Sequence, residues 1–352
     1  MLARTMAMSE LRRDPTTDAW VIIAPERGRR PRQGPPQLKK PTVHALPFDP
    51  RCPFCPGNES QLPAIIAEMP SAHTPGWRTR VVPNKFPAVS QGVTCTKQKS
   101  ALYQTAAGRG NHEVVIESPR HDHDLTTMSE GHVRDVLATC RSRYEALMAD
   151  RAAASVIVFR NRGKIAGASS PHPHAQLIAL DTIAPLMQAR QATMLSYYQK
   201  ENRCVLCDII THERDNGSRV VNEDGAFLTI VPFAAHTPCE MWLLPKHHQA
   251  DFGDLPDNEV ELLAIALRDA LARLSAALDD PAYNYVIDSA AKGASGIPAL
   301  HWYLRILPQV TAPAGFELGS GLAINPSLPE EDAAMLRSFR PVFQDFDDDH
   351  GR

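Results

Sequence analysis

The sequence predicts an α+β protein made of two tandem similar halves, residues 1–195 and 196–352, each a mainly antiparallel sheet with packed helices. Two observations carry that reading. Short β-prone runs flank one long amphipathic helical segment in each half, in the same order. A set of metal-type ligands, a CxxC pair followed by two spaced histidines, also occurs once in each half.

In the first half Trp20-Val-Ile-Ile-Ala24 reads as a strand. The Arg/Pro-rich stretch after it, PERGRRPRQGPP, is loop by composition. His112-Glu-Val-Val-Ile-Glu117 alternates as a half-buried strand does. Ser129 suits the N-cap of a helix in which Val133, Val136, Leu137, Cys140, Tyr144, Leu147 and Met148 share a face. Ser155–Phe159 is strongly β-prone, a Gly/Ser-rich loop leads to Pro171-His-Pro-His174, and Ala175–Leu180 reads as strand. The second half repeats this order. Strands are expected at Phe227–Val231, Glu240–Leu244, Asn284–Ile287 and His301–Leu307, with a helix over Asn258–Leu278. Val260, Leu263, Leu267, Leu271, Leu274 and Leu278 keep helical register there.

Apolar residues make up 43% and charged residues 22% of the 352, the balance of a soluble globular chain long enough for sizeable cores. A net charge of -3 gives no global attraction to nucleic acid or an anionic membrane. No stretch approaches the roughly 18 apolar residues that a membrane span needs, and MLARTMAMSE lacks the apolar region of a secretory signal. A cytoplasmic protein is expected. Seven cysteines, four of them in CxxC pairs, then read as metal ligands or redox motifs before they read as disulfides.

The two ligand sets align closely. Cys52-Pro-Phe-Cys55 is followed by His121 and His172, and Cys204-Val-Leu-Cys207 by His248 and His301. The two histidines are 51 residues apart in the first half and 53 in the second. Only the interval from the CxxC to the nearer histidine differs, 66 residues against 41, and the longer one holds the segment from Arg78 through Asn84 to Phe86. A lone CxxC could be coincidence or a redox pair. Two copies with matched histidines point to two Cys2His2 zinc sites, and four protein ligands leave no open position, so each zinc would be structural.

The chemistry concentrates at His172-Pro173-His174-Ala175-Gln176. In a strand, residues two apart share a face, so His172 can turn to the metal while His174 meets a substrate. A neutral imidazole fixed in one tautomer is a competent nucleophile toward phosphorus. Gln176 falls on the same face, where its amide can donate to a phosphoryl oxygen. The loop Gly167-Ala-Ser-Ser170 offers backbone N–H groups and hydroxyls for phosphate. A strand that only binds metal would leave Gln176 and the serine loop without a role.

At these residues the chain resembles the galactose-1-phosphate uridylyltransferase family of the histidine-triad superfamily. The resemblance covers nearly the whole chain, through DPTTDAWVIIAPERGRRP, CPFCPGNE, NKFPAV, HEVVIESPRH, SSPHPHAQ and GFELGSGLAINPSLPEE. It implies two histidine-triad-like halves, His174 as the nucleophile that carries the nucleotidyl group, and zinc on Cys52, Cys55, His121 and His172. It places Gln176 and Asn161 on the phosphoryl group, Ser169 on the substrate phosphates, and Arg27 and Arg30 on the sugar phosphate. Asn84 and Phe86 would cradle the nucleoside, and Glu317 would meet the hexose hydroxyls. It also implies a homodimer with residues of both subunits at the sugar site.

The departures are informative. The second-half motif reads His301-Trp302-Tyr303, without a nucleophile. Asp288 and Tyr303 stand where some relatives carry histidines of a second, iron-type site, so that site is not expected; Cys204 and Cys207 suggest zinc instead.

The reaction expected from this resemblance is ping-pong transfer of UMP from UDP-glucose to galactose 1-phosphate through His174. The nearest rival is a nucleotide-sugar or dinucleoside-polyphosphate phosphorylase on the same scaffold, with inorganic phosphate as acceptor and an adenine base. The rival from another class is a non-catalytic, zinc-stabilised nucleotide-binding module, which would exchange no label between sugar 1-phosphate and nucleotide sugar.

Overall fold

The computed structural model describes residues 9–29, 46–71, 76–92, 98–99, 102–341 and 343. The chain opens with β1 (Glu10–Arg13), β2 (Trp20–Ile23), β3 (Ala67–Pro70) and β4 (Trp77–Pro83). The short β5 (Gln98–Lys99) and β6 (Gln104–Thr105) follow, then β7 (Gly110–Ile116), α1 (Glu130–Ala149), β8 (Ser155–Arg162) and β9 (His174–Leu180). Two helices, α2 (Pro185–Glu201) and α3 (Val205–Asn216), lead into β10 (Val220–Asp224), β11 (Phe227–Ile230) and β12 (Met241–Pro245). The second half is completed by α4 (Asp257–Leu278), β13 (Tyr283–Asp288), β14 (Tyr303–Pro308), α5 (Gly315–Ser320), β15 (Ala323–Asn325) and α6 (Pro329–Ser338).

The expected α+β class is what the structure shows, with one difference in the sheets. The halves do not carry separate sheets: ten strands form one, in the order β3-β4-β7-β9-β8-β13-β14-β12-β11-β10. Neighbours throughout are antiparallel. The halves meet where β8 pairs with β13, with Arg160 opposite Tyr285 and Asn161 opposite Asn284. From that seam five strands of each half run outward in matching order, so the repeat of ligands is also a repeat of topology. Joining the central strands removes two sheet edges that separate halves would expose. The 195/196 boundary falls inside α2.

One face of the sheet is covered by α1 and α4, which pack on each other. Val133, Val136, Leu137 and Cys140 of α1 and Leu263, Leu267 and Leu271 of α4 bury against Val156, Ala175, Leu177, Leu243 and Leu304. Each of these valines and leucines contributes about 1.5–3 kcal/mol on leaving water. The Ser129 hydroxyl caps α1 by accepting from the His132 N–H, as its position in the sequence suggested. A smaller sheet, β1-β2-β15, stands apart, with β15 parallel to β2.

Helices α2 and α3 and strands β3, β4 and β10 were not anticipated. Helix α2 buries only Arg190 and Met194, so it carries no apolar period to read. Strand β9 begins at His174 and β14 at Tyr303, so His172 and His301 precede their strands. Among the described residues no helix is long and apolar enough to cross a membrane.

Candidate active site

The open face of the first half presents His174. Along β9, Ala175, Leu177 and Ala179 enter the core beneath α1, so alternation turns His174 and Gln176 to the opposite face. His174 is buried, 6% exposed. Its Nδ1 lies 2.8 Å from the His172 carbonyl. A carbonyl only accepts, so Nδ1 carries the proton and Nε2 keeps its lone pair. Burial lowers the imidazole pKa, the Arg160 charge adds to that, and the bond to the His172 carbonyl opposes it. The balance favours the neutral, nucleophilic ring. Phe54 packs against it with centroids 5.5 Å apart.

Gln176 is oriented by a residue not anticipated from the sequence. The Ala88 N–H donates to His112 Nδ1 at 3.1 Å, which leaves the proton on Nε2. That nitrogen donates to Gln176 Oε1 at 2.8 Å, and Asn84 Nδ2 donates to the same oxygen at 3.4 Å. With its oxygen engaged, Gln176 presents its NH2 group to the cavity, the polarity needed to meet a phosphoryl oxygen. Strand alternation puts His112 on one face with Val114, but its reach to Gln176 follows from the β7–β9 register, in which Val114 is opposite Gln176.

Two cavities reach His174. The larger, about 490 Å³, is lined by Phe54, Leu62, Val82, Val114, Asn84, Phe86, Ser169 and Gln176. Its walls are mainly apolar, and Phe86 stands 83% exposed at it. The second, about 440 Å³, lies across the Ser169–Pro171 loop and includes Asn161, Arg160, Arg162 and Lys164. The expected residues Asn84, Phe86, Asn161, Ser169, His174 and Gln176 are therefore brought together. Arg27 and Glu317 are not. Arg27 is exposed after β2, and Glu317 sits in α5, its carboxylate accepting from the Ala314 N–H at 3.0 Å. Neither lines either of these two cavities. Arg30 lies outside the described residues.

Behind His174, the ligand atoms of Cys52, Cys55, His121 and His172 lie within 4.8 Å of one another, and those of Cys204, Cys207, His248 and His301 do the same. In the first set Cys55 Sγ is 3.5 Å from His121 Nδ1 and 3.7 Å from His172 Nδ1. The two Nδ1 atoms are 3.3 Å apart. In the second set the sulfur–nitrogen distances are 3.3, 3.6 and 3.8 Å. A tetrahedron with metal–nitrogen and metal–sulfur bonds of about 2.05 and 2.3 Å has edges of about 3.3–3.8 Å. The outer nitrogens are fixed in the same way: His172 Nε2 donates to the Ser118 carbonyl at 2.8 Å and His301 Nε2 to the Pro245 carbonyl at 3.0 Å. Each acceptor stands three residues before the middle histidine. Both sets fit a tetrahedral ion with oriented imidazoles.

Among the described residues the second half shows no equivalent open site. Where the first half has its cavities, α2 inserts Met187, Arg190, Gln191 and Met194 over Tyr303 and leaves about 20 Å³. Asp288 pairs with Arg190 and Arg305 there. The Tyr303 hydroxyl is buried with no hydrogen-bond partner among the described residues.

Comparison with known proteins agrees with this anatomy. Residues 2–184 match the family model described as galactose-1-phosphate uridyl transferase, N-terminal domain. ADP-glucose phosphorylase of Arabidopsis thaliana is 34% identical over 335 residues, 93% of this chain and 92% of that protein. Galactose-1-phosphate uridylyltransferase of Thermotoga maritima is 26% identical over 339 residues, 94% and 98% of the two. The crystal structure of the Arabidopsis phosphorylase with bound ADP-glucose superposes with a TM-score of 0.82 at 31% identity, covering 96% of this chain and all of that one. A uridylyltransferase structure gives 0.73 at 27% identity, covering 94% and 98%. The chain belongs to the galactose-1-phosphate uridylyltransferase family and is a nucleotidyltransferase of its type.

Proposed function

We propose that this enzyme moves a nucleoside monophosphate from a nucleoside diphosphate hexose to a phosphate acceptor through a covalent nucleotidyl-His174. The observation that carries the reading is the tautomer of His174, a buried neutral imidazole that lines the cavity, with its proton held at Nδ1 and the lone pair left on Nε2. Nε2 attacks the α-phosphorus, the bond to the bridging oxygen breaks, and its electron pair leaves on the hexose 1-phosphate. An acceptor phosphate oxygen then attacks the same phosphorus and the pair in the P–N bond returns to Nε2. The amide of Gln176 stabilises the charge that builds on the nonbridging oxygen in both steps.

For the substrates we favour ADP-glucose and inorganic phosphate. The likeness to ADP-glucose phosphorylase runs through both halves and is greater in sequence and superposition than the likeness to the uridylyltransferases named above. UMP transfer from UDP-glucose to galactose 1-phosphate is the second reading, supported by the family model over the catalytic half. Incubation with ADP-glucose or UDP-glucose, each labelled in the nucleotide, separates them: the first reading expects label retained on the protein from ADP-glucose and removed by inorganic phosphate. Retention from UDP-glucose alone would favour the second.

Zinc is the ion proposed for both Cys2His2 sets. Bound there it would supply folding free energy rather than Lewis acidity, since no coordination position is left open. A homodimer is proposed as well. Arg27 and Glu317, both attached to the β1-β2-β15 sheet, miss the two His174 cavities of their own chain. The outer face of that sheet exposes Leu11 and Trp20, 56% and 46% accessible, and a second copy covering it would bring Arg27 and Glu317 to the partner's sugar site.

A further inference from the structure

We propose that Lys164 binds the phosphate group of the acceptor, and of the leaving hexose 1-phosphate, in the second cavity beside His174; this rests on the nucleotidyl-histidine reading above. The two cavities are lined by different residues. The larger is lined by Phe54, Leu62, Val82, Val114 and Phe86, with Arg51 and Lys85 also on its wall, whereas the other is lined by Lys164, Asn161 and Ser169 together with the chain at Arg160 and Arg162. His174 lines both, and the acceptor would reach a phosphorus on Nε2 through the side that holds Lys164.

The charges of that side are not equally available. Arg160 is bound to Glu117 at 3.0 Å and to Asp124 at 2.9 Å. Arg162 is bound to Asp124 and to Asp280, each at 2.7 Å. Two guanidinium groups thus face three carboxylates, and their network offers a phosphate dianion no net attraction. Lys164 is exposed, and among the described residues no carboxylate pairs with it. It is the unspent positive charge of the cavity.

Local backbone structure holds it in place. Gly163 turns with φ of +86°, and a Cβ there would come within 2.8 Å of Ala282 Cβ, so the tight approach requires glycine. The Ala166 and Ala168 N–H groups both donate to the Gly163 carbonyl, at 3.1 and 3.2 Å. This pins the turn carrying Lys164, which lines the cavity together with Ser169. A lysine ammonium is suited to a phosphate as a mobile point charge with three donors. In the second half-reaction it would hold the attacking phosphate while a P–O bond forms to the nucleotidyl phosphorus, the P–N bond breaks and its electron pair returns to Nε2.

The test uses the full-length enzyme, loaded with ADP-glucose labelled in the adenylyl group, freed of acceptor, then mixed rapidly with inorganic phosphate or glucose 1-phosphate. In Lys164→Met the phosphate concentration giving half-maximal discharge should rise about tenfold, with the saturated rate within about twofold of wild type and the melting midpoint unchanged. Lys164→Arg should restore most of the affinity. A rise with both acceptors supports a shared phosphate subsite, and a rise with one alone supports the proposal for that acceptor. Wild-type dependence on both acceptors in Lys164→Met overturns it. Wild-type protein that takes no label at all fails at the earlier step, against the nucleotidyl-histidine itself.

Discussion

At the scale of single residues, the chemistry depends on two tautomers, and both are set by backbone groups. The His172 carbonyl holds the proton of His174 at Nδ1, and the Ala88 N–H holds that of His112 at Nε2. His112 touches Gln176 rather than the reacting phosphorus, so it is a positioning residue. His112→Ala should slow formation of the labelled adduct about tenfold, less than the roughly 100-fold or more seen on deleting an oriented donor outright, while half-saturation by nucleotide sugar changes little. Single-turnover labelling would check this, and an unaltered rate would remove His112 from the account. His174→Gly should leave space that added imidazole fills, partly restoring cleavage of the nucleotide sugar without a protein adduct. The HPHAQ run made His174 and Gln176 legible because strand alternation is local. His112 acts across the β7–β9 pairing, which no local pattern states.

At the scale of elements, the two halves show one scaffold with and without a site. In the first, β4 runs from Trp77 to Pro83 and the residues just after it bring Asn84 and Phe86 to the cavity. In the second, α2 fills the corresponding space, and its Arg190 pairs with Asp288 beneath it. The missing nucleophile was readable as Tyr303, but the plug was not, because α2 has no apolar face to announce it. Tyr303→Phe removes a buried hydroxyl that makes no hydrogen bond among the described residues. The variant should keep full adduct formation and lose less than about 1 kcal/mol of stability. A folded Tyr303→Phe protein unable to transfer would mean that the second half contributes chemistry. The ligand sets behave differently. Cys52→Ser breaks a four-ligand site, so bound metal and melting midpoint should fall together. Metal analysis of the intact protein should return about two zinc ions per chain if both sets are filled. Full metal content with an unchanged melting profile in Cys52→Ser would refute the assignment.

At the scale of the molecule, the repeat is the organising fact. Matched ligand spacing made the duplication legible before any strand was placed, since a tetrahedral site ties residues far apart in sequence to one point. The joining of both halves through β8 and β13 into ten strands was not legible: Tyr283–Asp288 and Ser155–Arg162 carry no signal of pairing with each other rather than with a third strand. That seam places Asn284 against Asn161, to which it donates at 2.8 Å, so the second half orients a residue beside the first-half site. The central claim is that one histidine of one half carries the nucleotidyl group. It is tested most directly by incubating wild type and His174→Asn with adenylyl-labelled ADP-glucose without acceptor, digesting both, and mapping the label by mass spectrometry. The account predicts an acid-labile adenylyl group on the wild-type peptide containing His174 and none in a folded His174→Asn protein. An adduct that persists in His174→Asn, or that maps to a peptide of the second half, would contradict it.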